Sequence, residues 1–91
     1  MVQLVCRVGK GAMAHERTLF VRGVDREYES WADTRVVTIL EGDLDQDQAR
    51  GLVPVRLVQE DSEKGRVLVE LPDETVMGTR RVWVPSSELK R

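Results

Sequence analysis

The chain has 91 residues, of which 33% are charged and 41% hydrophobic, and its formal net charge at pH 7 is −2. These values exclude a disordered tail and predict one small globular domain over residues 1–91, because this length suffices for a single modest core. The overall charge argues against a nucleic-acid-binding domain, which usually carries a basic excess.

The first third of the chain predicts three strands. Apolar side chains alternate with a period of two at the start, which places four of them on one strand face: Val2, Leu4, Cys6 and Val8. After a glycine-rich break, a second strand is expected from Arg17 to Val24, with Leu19 and Val21 on one face. Residues 28–32 predict a short third strand.

The middle of the chain predicts one strand and one short helix. Residues 35–40, RVVTIL, are apolar on both faces, which indicates a central or doubly covered strand. Asp43 is a good N-cap, and Gly51 can take the left-handed position that ends a helix. We therefore expect at most two helical turns between them, near residues 43–50.

The last half of the chain returns to strands. Residues 53–59 form one strand, in which Pro54 indicates an edge or an entry point. The segment from Gly65 onward alternates, breaks at residues 72–73, alternates again and stops at Pro85. This pattern predicts an antiparallel pair, followed by one 3₁₀ or helical turn capped by serine. The fold class is therefore all-β: a small barrel or sandwich of six to seven short antiparallel strands.

The single cysteine excludes an internal disulfide and suits a reducing compartment. No apolar run approaches the roughly 20 residues that a membrane-spanning helix needs, and Arg7 interrupts the N-terminal apolar stretch too early for a signal peptide. We expect a cytoplasmic protein without a membrane partner.

The acidic run at residues 41–48 has the spacing of a calcium loop at three positions, Asp43, Asp45 and Asp47. A calcium loop also requires a glycine at its sixth position and a glutamate at its twelfth. These positions hold Gln48 and Pro54, so calcium binding is not predicted and the run is interpreted as a solvated helix start.

No catalytic or cofactor motif is found. Cys6 lies in line with core residues, where a thiol is inert, and His15 has no second histidine to help bind zinc. An enzyme would have to use carboxylates that no pattern brings together: Glu41, Asp43, Asp45 and Glu70. We therefore predict that the protein is not an enzyme and needs no cofactor or metal.

The strongest functional candidate is a surface. If Val82 and Val84 face the core, the side chains between and before them face outward, and tryptophan and arginine are enriched at binding hot spots. This reasoning predicts a surface that binds another protein through four residues: Tyr28, Trp31, Arg81 and Trp83. The competing interpretation is that Trp83 packs under a loop and closes a second small core.

The function predicted is thus a non-enzymatic protein-binding or accessory module. The alternative is a small barrel that binds single-stranded nucleic acid, with Trp31 or Tyr28 stacking on bases and Arg66, Arg80 and Arg81 along the phosphates. Self-association is a further expectation if VQLVCRV or RVVTIL forms an exposed sheet edge.

The segment VWVPSSELK, Val82 to Lys90, resembles the closing segment of Src-homology-3-like barrels. In that family a strand ends in an apolar residue, proline and serine, makes a 3₁₀ turn and re-enters the sheet; the matching residues are Val84, Pro85, Ser86, Ser87 and Leu89. The resemblance implies a Src-homology-3-like barrel in the C-terminal half. Glu88 stands where the peptide-binding members have a groove tyrosine, so the implied likeness is of fold and not of proline-rich peptide recognition.

Overall fold

The computed structural model describes residues 2–91 and confirms the all-β class. Its eight strands are β1 (Val2–Lys10), β2 (Glu16–Arg22), β3 (Glu27–Asp33), β4 (Thr38–Glu41), β5 (Ala49–Asp61), β6 (Arg66–Glu70), β7 (Arg81–Pro85) and β8 (Leu89–Lys90). The helical segments in this part of the chain are three 3₁₀ turns, Thr34–Val36, Leu44–Gln46 and Ser86–Glu88. All strand pairs are antiparallel, and the main order is β3-β2-β1-β5-β6-β7.

β5 is the longest strand and pairs with three others. Residues 49–55 pair with β1, and residues 50–52 pair with β4 on the opposite edge. From Arg56 to Asp61 the partner is β6, with a register shift between Leu57 and Gln59. An irregularity of this kind bends a strand and increases its twist. The sheet accordingly curls into a half-barrel.

Contacts between the β2–β3 end and the β6–β7 end hold this curl. The amide of Val24 donates to the carbonyl of Trp83 at 3.0 Å, and the amide of Val76 donates to the carbonyl of Glu29 at 2.9 Å. The hydroxyl of Ser30, which is fully buried, lies 3.1 Å from the carbonyl oxygen of Asp73 and 2.9 Å from that of Glu74. These hydrogen bonds attach the loop between β6 and β7 to β3. They also satisfy the buried hydroxyl of Ser30.

The core is aliphatic, in keeping with an aromatic content of 4%. It contains eight valines, three leucines, two alanines and Cys6, listed together as Leu4, Cys6, Val8, Leu19, Val21, Ala32, Ala49, Val53, Val55, Val67, Val69, Leu71, Val82 and Val84. The inward faces expected for the first two strands and for the last pair are confirmed. Val2 is only partly buried and packs against this cluster.

The prediction of a central strand at residues 35–40 is wrong. Residues 34–36 form a 3₁₀ turn, and β4 begins at Thr38 with all four of its residues exposed. Ile39 is 38% and Leu40 46% exposed, because β4 pairs with β5 alone and lies at a sheet edge. An apolar run on both strand faces has the same pattern in a covered strand and in an edge strand, so periodicity does not distinguish them.

The helix expected near residues 43–50 is reduced to one 3₁₀ turn. Asp43 caps that turn as predicted, since its Oδ1 accepts from the amide of Asp45 at 2.9 Å. The turn ends at Asp47, which takes the left-handed conformation with φ 54°. Gly51 is not a helix end: it lies inside β5, where an added Cβ would be 2.8 Å from the carbonyl oxygen of Thr38. It lets β4 approach closely.

Two smaller expectations also need correction. The count of six to seven strands is one short, because the two-residue β8 pairs with Gln3 and Leu4 of β1. The 3₁₀ turn after Pro85 forms as predicted, but no serine side chain caps it.

Truncating two leucines to alanine tests the buried and exposed assignments together. We expect Leu19→Ala to lower the free energy of unfolding by about 2–5 kcal/mol, because Leu19 is fully buried and its removal leaves a cavity. Leu40→Ala, on exposed β4, should change it by less than about 0.5 kcal/mol. Urea unfolding followed by circular dichroism measures both values, and a similar large loss for the two variants would contradict the edge position of β4.

Candidate protein-binding surface

An apolar groove of about 510 Å³ lies beside β5, between the segment paired with β4 and the segment paired with β6. The last residue paired with β4 is Leu52 and the first paired with β6 is Arg56. Pro54, which has no amide hydrogen to donate, stands between them. The apolar residues that line this groove are Val2, Val36, Pro54, Val55, Leu57, Leu71 and Pro72.

The charged residues that line the groove are Arg56, Glu70 and Arg80. Arg56 Nε lies 3.1 Å from one oxygen of Glu70, and Arg81 Nε lies 3.5 Å from the other. Arg80 makes no ion pair among the described residues; its Nε donates to the carbonyl of Leu71 and its Nη2 to that of Pro72, both at 2.9 Å. Two guanidinium groups therefore share the Glu70 carboxylate, and the third, that of Arg80, is held by backbone carbonyls.

A second depression, of about 290 Å³, contains Trp31, and we call it the Trp31 recess. Its lining residues are His15, Glu16, Trp31, Ala32, Asp33, Val36, Pro72 and Asp73. The side chain and amide of Arg35 donate to Asp33 and lower the pKa of that carboxyl to about 2, so Asp33 is ionised at physiological pH. The recess and the groove share Val36 and Pro72. We call the two together the channel.

The two aromatic residues of β3 lie on opposite faces of that strand. Tyr28 shares its face with buried Ser30 and Ala32 and packs against the core, whereas Trp31 is turned to the other face. The hydroxyl of Tyr28 is 3.1 Å from both carboxyl oxygens of Asp25. Burial, followed by this hydrogen bond, raises the pKa of Tyr28. Tyr28 and Trp31 therefore do not extend one aromatic patch.

Trp83 is half-buried on the outward face of β7, opposite Leu68 of β6. The guanidinium carbon of Arg66 lies 4.5 Å from the centre of its ring, a cation–π contact. Arg81, two residues earlier on the same face, is exposed. Since Arg81 shares Glu70 with Arg56, this face continues directly from the rim of the groove.

The arginines considered for nucleic acid have partners within the chain. Arg66 Nε lies 3.3 Å from Asp61, and Arg81 lies beside Glu70. Arg80 holds the loop carbonyls described above. A third cavity, of about 340 Å³, is lined by further arginines together with Phe20. Each of these faces a carboxylate: Arg7 with Glu27, Arg22 with Glu88 and Arg50 with Glu41, at 3.1, 3.7 and 3.6 Å.

The carboxylates considered for catalysis have local partners. Asp43 caps its turn, Asp45 lies 2.6 Å from the ammonium of Lys10, and Glu70 lies between two arginines. No group of three or more His, Cys, Asp or Glu side chains within residues 2–91 is placed to hold a metal ion. Within the same residues, no helix is long and apolar enough to cross a membrane.

No protein-family model, curated protein or solved structure matches this chain. The fold is a small curled antiparallel sheet, compatible with a small barrel. The groove itself was missed by sequence reasoning, because its residues come from five separate parts of the chain. The prolines at positions 54 and 72 are the one local signal, since neither has an amide hydrogen to donate to a neighbouring strand.

The buried thiol of Cys6 provides a test of the inert-cysteine prediction. Burial raises the pKa of Cys6 to about 12, with a smaller contribution from the Glu88 carboxylate. At pH 8 the folded protein should react with iodoacetamide roughly a thousandfold more slowly than the urea-unfolded chain, because the thiolate is the reactive form. Mass spectrometry follows the reaction at the one cysteine in the chain. Comparable rates in the two states would show that Cys6 is accessible and reactive.

Proposed function

We propose that this chain is a non-enzymatic protein-binding module and that the channel is its binding surface. The observation that carries the proposal is that the groove and the Trp31 recess meet at Val36 and Pro72. The groove is lined mainly by aliphatic residues together with Arg56 and Arg80, and the adjoining recess contains the half-buried Trp31. Val36, at the junction, is 40% exposed.

The composition of the channel favours a protein partner. Its floor is aliphatic and its ends are charged, which is the arrangement of a protein interface with an apolar centre and a polar rim. Three of the four residues predicted for binding lie in or beside it. Trp31 lines the recess, and Arg81 and Trp83 lie on the face that continues from the groove. Tyr28 packs toward the core and is not part of the proposed surface.

Electrostatics make nucleic-acid binding the weaker of the two candidate functions. A surface that follows phosphates needs arginines whose charge is not already compensated. Of the three proposed, Arg66 and Arg81 each face a carboxylate, and the chain as a whole is acidic.

Three further proposals concern likeness, location and assembly. The C-terminal part is proposed to be Src-homology-3-like, supported by the passage from β7 through the turn Ser86–Glu88 into β8, which pairs with β1. A cytoplasmic location is supported by the free, buried Cys6. Self-association would use β4, since β1 is paired with β2, β5 and β8.

Site-specific cross-linking tests the proposed surface. A photoreactive amino acid replaces Val36 in the channel or, as the control, Val24, which is 46% exposed and outside both depressions. We expect a cellular protein to be cross-linked from position 36 and not from position 24. After identification and purification, that protein should bind the natural chain and lose at least about tenfold in affinity on Val36→Asp, because a charge would be placed in the apolar floor.

The matched variant Val24→Asp should bind the purified partner as the natural chain does. Equal loss in both variants, with circular dichroism unchanged, would contradict the channel as the contact surface. Cross-linking from position 24 alone would place the interface outside the channel, near the loop between β2 and β3.

Oligonucleotide binding separates the two candidate functions. We expect no change in the fluorescence anisotropy of a labelled mixed-sequence single strand at low ionic strength, where phosphate contacts are strongest. Binding that falls steeply with added salt and is weakened by Arg66→Gln would promote the nucleic-acid alternative above the protein-binding one.

A further inference from the structure

The two ends of the channel carry opposite charge. At the groove end, Arg56, Arg80 and Arg81 are balanced by Glu70 alone. At the recess end the carboxylates are Glu16, Asp33 and Asp73, and the guanidinium of Arg35 is paired with one of them. The groove therefore carries an excess of positive charge and the recess an excess of negative charge, and the two depressions share the apolar residues Val36 and Pro72.

The guanidinium of Arg80 is positioned to bind an acidic group of a ligand. Its two bonds to the carbonyls of Leu71 and Pro72 fix the guanidinium at the groove lip without neutralising its charge. A carboxylate that reaches it gains a charge-assisted hydrogen bond and does not have to order a free side chain first.

Trp31 offers the matching feature for a basic group. Its ring lines a recess with Asp33, whose carboxyl stays ionised, and with Glu16 and Asp73. A lysine or arginine over the face of a tryptophan is attracted by the ring, and neighbouring carboxylates strengthen that attraction.

We propose that the partner contributes an extended segment with an aliphatic centre, a carboxylate that pairs with Arg80 and Arg56, and a basic side chain that lies over Trp31. The proposal rests on the proposed function and adds the chemistry of the partner.

Three acetylated and amidated six-residue peptides test the charge pattern. Each has two valine–threonine pairs in the centre, flanked by a glutamate and a lysine, by two glutamates, or by two lysines. In ¹H–¹⁵N NMR titrations the oppositely charged peptide should bind about tenfold more tightly than either other peptide, because each of those loses one charged hydrogen bond.

The same spectra locate the peptide. The chain has two tryptophans. The indole signal of Trp31 should move with the amides of Leu57 and Leu71, while the indole signal of Trp83, identified with Trp83→Phe, stays in place. Equal binding of the three peptides, shifts confined to other regions, or no shift at about 1 mM peptide would overturn the proposed charge pattern.

Charge reversal at Arg56 tests the charge pattern through a gain of affinity for one peptide, which an unfolded variant would not show. Arg56→Glu should weaken the oppositely charged peptide and strengthen the two-lysine peptide, each by about tenfold. Arg22→Glu, with a side chain 79% exposed and outside the channel, is the matched control and should change neither affinity.

The outcomes distinguish this inference from the proposed function. Cross-linking at Val36 together with equal binding of all three peptides would leave a protein-binding channel whose partner has different chemistry. Failure of the cross-linking experiment would remove the channel as the interface.

Discussion

The pairing of β5 with three other strands is the constraint on which the rest of the structure depends. β2 and β8 reach the sheet through β1, and β7 reaches it through β6, so each of these depends on a strand that pairs with β5. A short strand has room for one neighbour on each edge. The 13 residues of β5 allow a succession: β4 beside residues 50–52, and β6 from Arg56 onward. The groove forms where one partner ends and the next begins, so the channel follows from the way the sheet is built.

Much of the fold follows from side-chain alternation. The inward faces of the first two strands and of the last pair are readable because each strand alternates, and because valine suits a pleated, half-buried surface. The Asp43 cap and the turn after Pro85 are also local features and were predicted. The local sequence did not show which of several neighbouring residues would end the turn. Asp47 took the left-handed conformation and ended the turn early, and Gly51 was needed for the close approach of β4.

The candidate site was harder to predict because it is made of long-range relations. Residue type and the alternation of side chains along a strand were enough to select Trp31, Arg81 and Trp83. The same reasoning also selected Tyr28, which packs toward the core. The channel joins residues as distant in sequence as Val2 and Arg80. Their meeting depends on the strand order and on the buried hydroxyl of Ser30 that fastens the β6–β7 loop to β3. No repeat, motif or spacing reports either feature.

The position of β1 has a consequence for the order of events during translation. Residues 2–6 precede their sheet partners, residues 51–55 of β5 and the two residues of β8, by more than 40 positions. Until those partners have been synthesised, residues 2–6 have no strand edge to join. Non-local pairing of this kind slows folding and leaves strand surface uncovered meanwhile. β1 therefore acquires its full set of partners only after β5 and β8 have been made.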